Sequence, residues 1–248
     1  FLFIGDGMSY PQIQATAYFN GAQQSGEEPT IERVSFMDFP VIGSQYTYDE
    51  AARVMAGGKA LLVAEKLADE DALSYAMDAT ADEWSLRDYV AKGIEVLGAG
   101  DVGFFMMCEG GKIDWACHAN DCAAAIHDVM ALEDCVAEAV AFYEGHPDET
   151  LIVVTGDHET GGLTIGYAET NYDTFLTNIA RQKISYAKFD SDYVAGYIEA
   201  GATYEQAMED VAQLFGLERP ASALSSGAEV DAQVAEAEPG SLMLTAYE

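Results

Sequence analysis

Basic residues are scarce in this chain. Its 248 residues include 11 Lys and Arg against 43 Asp and Glu, a formal net charge of −32. A field of that sign repels nucleic acid and anionic membrane surfaces, so neither is an expected partner. It also repels an anionic substrate, unless bound cations reverse the sign locally. Solubility or tolerance of salt is a sufficient cause for the acidity as such. Cysteine is rare as well: Cys108, Cys117, Cys122 and Cys135. No C-x-x-C pair is present, which excludes a zinc knuckle and a thioredoxin-like redox motif. Three of the four thiols fall in an alanine-rich helical stretch and read as buried free thiols. No apolar run approaches the roughly 18 residues of a membrane span, and no signal peptide appears. The chain opens at Phe1 inside a strand pattern, without an initiator Met, so the N-terminus reads as trimmed. No internal repeat is evident. Half of the residues are hydrophobic and 11% are aromatic, which excludes a disordered chain and suits one large α/β core.

Against those absences stand three hydrophobic runs, each ending in a glycine-flanked acid. They read F-L-F-I-G-D-G, G-F-F-M-M-C-E-G-G and L-I-V-V-T-G-D-H-E-T-G-G, with acids at Asp6, Glu109 and Asp157 and a histidine at His158. Continuous apolar runs of this length suit strands buried on both faces of a parallel sheet. In such sheets the functional crevice lies outside the carboxyl ends of the strands. These acids should therefore meet at one edge. Carboxylates gathered away from bulk water repel one another unless cations sit between them. The pattern points to a metal site.

The rest of the chain places these strands among helices. A helix is expected from Pro11 to about Phe19, with proline in its first turn. Residues 39–48 alternate enough to form a strand. A helix over about 85–97 opens on S-L-R-D, a capping-box pattern. Core strands are expected at 102–108 and 150–155, with a long helix between them from about Asn120 to Tyr143, stopped by Gly145. Beyond, Asn171 can cap a helix from Tyr172 to about Arg181. Another helix covers 190–199, and Thr203 with Gln206 can cap a third, to about Phe215. Residues 218–248, poor in aromatics and rich in Ala, Ser and Gly, read as an acidic tail after a single domain over 1–217.

The block C-E-G-G-K-I-D-W-A-C-H-A-N-D (108–121), followed by V-T-G-D-H-E-T-G-G-L (154–163), resembles the alkaline phosphatase family. I-G-D-G-M (4–8) matches the same family's first metal-binding strand end. The likeness covers roughly 1–50 and 100–190. It implies a three-layer α/β sandwich with a mostly parallel central sheet, hydrolysis of small-molecule phosphate monoesters, two zinc ions and one magnesium. It also implies a periplasmic or secreted location and a possible homodimer. By this resemblance one zinc takes Asp114 and His118, the other takes Asp6, Asp157 and His158, and magnesium takes Asp6 and Glu109. In the family reaction a zinc-activated serine accepts the phosphoryl group and water then releases it. Residue chemistry is consistent with the ligand set. Asp114 and His118 are four apart and share a helical face, and a carboxylate with an imidazole suits zinc. Glu109 suits the harder ion. Four carboxylates against three divalent ions leave the centre net positive, able to attract a phosphate dianion.

Other residues fit less well. His127, about 180° round a continuous helix from His118, faces away, and His146 precedes the third strand at the wrong end of the sheet. Gly161 and Gly162 serve a turn rather than the chemistry. Glu159 and Thr160 belong to the same matched block. Lys112 and Trp115 line the site or pack beneath it. No D-S-A motif, the expected nucleophile, follows the Y-T-Y at 46–48, and no histidine follows His158 to complete a zinc site. The catalytic nucleophile is thus unknown; Ser9, Ser44 and Thr47 are weak substitutes, and Ser9 better suits capping or phosphate contact. A seam near 48–53 is expected, from an incomplete chain, a deletion or a degenerate enzyme. Two competing readings stay open: a metal-binding remnant without turnover, and a related metal-dependent phosphodiesterase, sulfatase or phosphomutase.

Overall fold

The computed structural model describes residues 1–25, 30–39, 72–100, 102–165 and 174–218. The chain divides into two compact units, Phe1–Ile165 and Gly166–Glu248, where the sequence suggests one domain over 1–217. The expected strand over 39–48, apart from Phe39, the seam at 48–53, the Asn171 cap and the tail beyond 218 lie outside the described residues.

The first unit is built on three parallel strands in the order β2-β1-β3. They are β1 (Leu2–Gly5), β2 (Met107–Glu109) and β3 (Val153–Gly156). Leu2 pairs with Met107 on one side and Val153 on the other, and Gly5 reaches Gly156. This register brings Glu109, Asp6 and Asp157 to the same carboxyl edge. Both outer strands are shorter than the apolar runs that contain them. The ladders with β1 start at Leu2, opposite Met107 and Val153, and Phe1 adds hydrogen bonds to Leu151 and Val153. Burial on both faces is not observed either. Phe3 and Cys108 are buried, while Met107, on the opposite face, is 50% exposed.

Helices cover the Phe3 face. α1 (Tyr10–Ser25), α2 (Leu86–Gly98), α3 (Lys112–His118) and α4 (Cys122–Gly145) belong to this unit, and α1, α2 and α3 all pack on α4. α1 runs further than the apolar pattern suggests, because Ala22 and the polar Gln23 and Gln24 continue it along its outer side. α2 opens with the capping box in full: the Ser85 side chain accepts from the Asp88 N–H and Asp88 accepts from the Ser85 N–H. The long helix starts two residues later than expected. Asn120 adopts a left-handed φ of 55°, which a short amide side chain tolerates, and Asp121 then caps α4 by accepting from the Ala124 N–H at 3.0 Å. All four cysteines are free.

The second unit is helical where described. A 3-10 helix, Leu176–Arg181, stands where an α-helix from Tyr172 is expected. α5 (Tyr186–Phe189) starts earlier than the predicted 190 because Ser185 caps it, accepting from the Lys188 N–H. It passes through a π-helical turn at Asp190–Val194 into α6 (Ala195–Ala200). α7 (Tyr204–Phe215) opens on the predicted Thr203–Gln206 capping box. Phe189 meets the Phe215 ring edge-on at 5.3 Å, tying α5 to the end of α7.

Candidate metal centre

Three short loops leave the carboxyl ends of the strands and nearly touch. Glycine makes this possible. Gly7 has φ 67°, and a Cβ there would come within 2.9 Å of the Asp114 Cα. Gly161 has φ 81°, and a Cβ there would strike the Cys117 carbonyl oxygen. Both positions combine left-handed backbone with close approach, so side chains are excluded twice over. The 5–8 loop, α3 and the 157–162 loop are thereby packed backbone against backbone.

Asp6, Asp157 and His158 converge as a result. Each offers one ligand atom, and these atoms lie within 4.8 Å of one another. His158 Nε2 is 3.2 Å from Asp6 Oδ1 and 3.8 Å from Asp157 Oδ2. Asp157 Oδ1 is fixed by two backbone donors, Gly7 N–H at 3.2 Å and His158 N–H at 2.9 Å. On α3, Asp114 and His118 do share a face: His118 Nε2 is 3.3 Å from Asp114 Oδ2. Asp114 is buried, and His118 stands in solvent. Thr160 joins the two groups. Its hydroxyl donates to Asp114 Oδ1 at 2.6 Å and lies 3.1 Å from His158 Nδ1. Glu109 stands at the end of β2, paired with Ile4, and its charge reaches Asp6.

Electrostatics record the crowding. Burial first, and then the charges of Asp157 and Asp114, push the Asp6 carboxyl from 3.8 up to about 6; His158 opposes this and Glu109 adds to it. His158 is raised as well. Desolvation pulls it down, but the Glu159 carbonyl and the carboxylates of Asp157, Asp6 and Asp114 outweigh that and raise it. Its hydrogen-bond partners also fix which nitrogen is available. Nδ1 lies 3.2 Å from the Glu159 carbonyl oxygen, which can only accept, so Nδ1 carries a proton. Nε2, pointing at Asp6, is the nitrogen left to bind a cation once it releases its own proton. The donor set therefore fits a divalent ion: carboxylate oxygens and one imidazole nitrogen converge, oriented from behind, in a cluster that a cation would relieve.

The residues set aside by sequence are elsewhere engaged. His127 lies on α4 rather than on a continuation of α3, so a single-helix angle does not apply to it; it meets the Phe19 ring at 6.0 Å. His146 stacks on Phe142 at 4.2 Å, beyond the other end of the sheet. Lys112 does not reach into the site. Its ammonium is buried between the Tyr75 ring at 4.4 Å and the Trp115 ring at 4.1 Å. Glu159 closes the 159–162 turn by accepting from the Gly162 N–H at 2.8 Å. Ser44 and Thr47 lie outside the described residues.

A model of the alkaline phosphatase family matches residues 66–227. The chain belongs to the alkaline phosphatase family. It is 32% identical over 169 residues to alkaline phosphatase 4 of Bacillus subtilis, a match covering 65% of this chain and 36% of that one. Alkaline phosphatase 3 of the same organism is 34% identical over 164 residues, covering 66% and 34%. The repressible alkaline phosphatase of Saccharomyces cerevisiae is 30% identical over 173 residues, covering 65% and 30%. Among solved structures, the cold-active alkaline phosphatase of a Shewanella species superposes with a TM-score of 0.52 at 28% identity, covering 66% of this chain and 38% of that one. The α/β fold with its parallel sheet is thus that of the family. The chain spans about a third of the length of the curated relatives it matches.

Two residues of the centre were not singled out as site residues by sequence: Gln12, and Thr160 in its bridging role. A signal for Gln12 existed. It lies on the α1 stripe with Ala15, Thr16 and Phe19, all buried, where a long polar side chain must find partners.

Proposed function

We propose that this chain carries the metal-binding part of a phosphomonoester hydrolase of alkaline phosphatase type. The convergence of Asp6, Asp157 and His158 at the carboxyl ends of adjacent parallel strands carries this reading. Asp6, Asp157 and His158 would hold one zinc ion, Asp114 and His118 a second, and Asp6 with Glu109 a magnesium. Bound there, the ions supply charge reversal and polarisation of a phosphoryl oxygen. The chain's own residues do the positioning. His158 keeps its Nδ1 proton on the Glu159 carbonyl, which aims Nε2 at the ion. Thr160 holds the Asp114 carboxylate, and two backbone amides hold that of Asp157. Small phosphate monoesters are the substrates, in the periplasm or outside the cell, with a homodimer as the assembled form.

These 248 residues contain no D-S-A motif, which favours a second reading: a metal-holding remnant without turnover. Zinc per chain, measured together with hydrolysis of p-nitrophenyl phosphate, separates the two. Metal with chelator-sensitive turnover supports the phosphatase; metal without turnover supports the remnant; turnover that survives chelation excludes both. Asp157→Ala and His158→Ala should each lower bound zinc, and equal zinc in wild type and both variants would refute the ligand assignment.

A further inference from the structure

The family signature residues account for the ligands but not for what holds their three loops in register. One buried side chain touches all three. Gln12, on the first turns of α1, is 1% exposed. Its Oε1 accepts from the Ser9 N–H at 3.0 Å, anchoring the loop that carries Asp6. Its Nε2 donates to the Thr160 carbonyl at 3.2 Å, in the loop that carries Asp157 and His158. The same nitrogen lies 3.7 Å from Cys117 Sγ, on the helix that carries Asp114 and His118. A carboxamide is the shortest side chain end with both an acceptor and a two-proton donor, and here each is used.

Thr160 extends this link to the ligands. With its carbonyl held by Gln12, its hydroxyl faces Asp114 Oδ1 at 2.6 Å and His158 Nδ1 at 3.1 Å. Asp114 Oδ1 can only accept, so the hydroxyl proton goes there, and the hydroxyl oxygen shares the Nδ1 proton of His158 with the Glu159 carbonyl. We propose that Gln12 is a positioning residue for the metal centre, setting Thr160 so that one hydroxyl orients ligands of both zinc sites. The inference rests on the metal reading given above.

Groups that orient metal ligands are worth about 10- to 100-fold in metal affinity. The test uses the whole chain and zinc ion, titrated against a chromophoric chelator. Gln12→Met conserves volume and removes both amide functions. Thr160→Val removes the hydroxyl at constant shape, and Thr160→Ser restores it. Gln12→Met and Thr160→Val should each weaken zinc binding about 10- to 100-fold, while Thr160→Ser stays within about threefold of wild type. Because Gln12 acts through Thr160, the double variant should bind within about threefold of the weaker single variant. A role confined to packing would lower the melting temperature and leave the zinc affinity of the folded chain unchanged. Wild-type affinity in a folded Gln12→Met chain overturns the proposal, and so does a multiplicative loss in the double variant. Should Gln12→Met not fold, equal affinities of Thr160→Val and Thr160→Ser overturn it, and a loss confined to Val supports it. A wild-type chain that binds no zinc refutes instead the metal reading on which this rests.

Discussion

Replacing Asp6 by Asn should strengthen the metal-free fold while weakening the metal centre. The carboxyl sits at about 6 rather than 3.8, so its ionised form is disfavoured in the folded state. That displacement corresponds to about 3 kcal/mol. Its sign follows from linkage. The folded chain binds the Asp6 proton more tightly than the unfolded chain does. Stability from this group is fully present below pH 3.8, and it is lost as pH rises through about 6. Asparagine cannot ionise, so it avoids the loss. The opposing charge of His158 is already contained in that displacement. At pH 8 a net stabilisation of about 1–2 kcal/mol is expected, after discounting for the partly solvated site. Near pH 4 the difference should shrink towards zero. Urea unfolding in the presence of chelator, at pH 4, 6 and 8, measures it. On the proposed metal reading the order should reverse with zinc present, because the variant would lack a ligand and with it the stabilisation that bound metal gives the folded state. A variant less stable than wild type by the same amount at every pH, with or without zinc, would refute the electrostatic account of the cluster.

Two further outcomes test the frame and the packing around it. Gly161→Ala adds a Cβ at φ 81° against the Cys117 carbonyl oxygen, and should cost about 2–4 kcal/mol by chemical denaturation; a cost below about 0.5 kcal/mol would mean that the loops are not in contact. Asp128, part-buried on α4 and accepting from the Ala76 N–H at 3.3 Å, is pushed by burial up to about 7, with Ala76 and Lys112 opposing and Asp78 and Asp121 adding. Its stability contribution is present below 3.8 and lost as pH rises through 7, so Asp128→Asn should gain about 1–3 kcal/mol at pH 8 and nothing at pH 4; equal gains at both pH values would show that burial of the charge is not the cause.

The candidate site was legible because its chemistry is local in sequence. An acid flanked by glycine at the end of an apolar run states both the strand and its carboxyl-end loop. D-x-x-x-H states a shared helical face, and His118 indeed lies beside Asp114. Capping boxes at Ser85 and Thr203 were equally readable, since each is closed within four residues. What failed was set at long range. The extent of β2 and β3 depends on pairing with β1, more than 100 residues away along the chain in each case, and no apolar run encodes that. The break between α3 and α4 depends on Asn120 taking a left-handed turn, a choice that an alanine-rich stretch conceals. Gln12 was missed for the same reason. Apart from the Ser9 N–H, its partners lie 105 and 148 residues away along the chain.

The glycines and the acids of this centre answer one requirement from opposite sides. Glycine at positions 7 and 161 lets three backbone segments approach more closely than any side chain permits. That approach gathers Asp6, Asp114 and Asp157 in one place, where burial first and then the charges of Asp157 and Asp114 raise Asp6. Looser loops would relieve the repulsion and, with it, the reason for a cation to bind. When protonated, His158 opposes part of the repulsion, with Nε2 3.2 Å from Asp6 Oδ1. A divalent ion at the same place would bring two positive charges where the imidazolium brings one. In a chain whose formal charge is −32, such a local excess of positive charge would be needed for the proposed phosphate substrate to approach. The close packing that crowds these acids is therefore the same feature that would draw a cation to them.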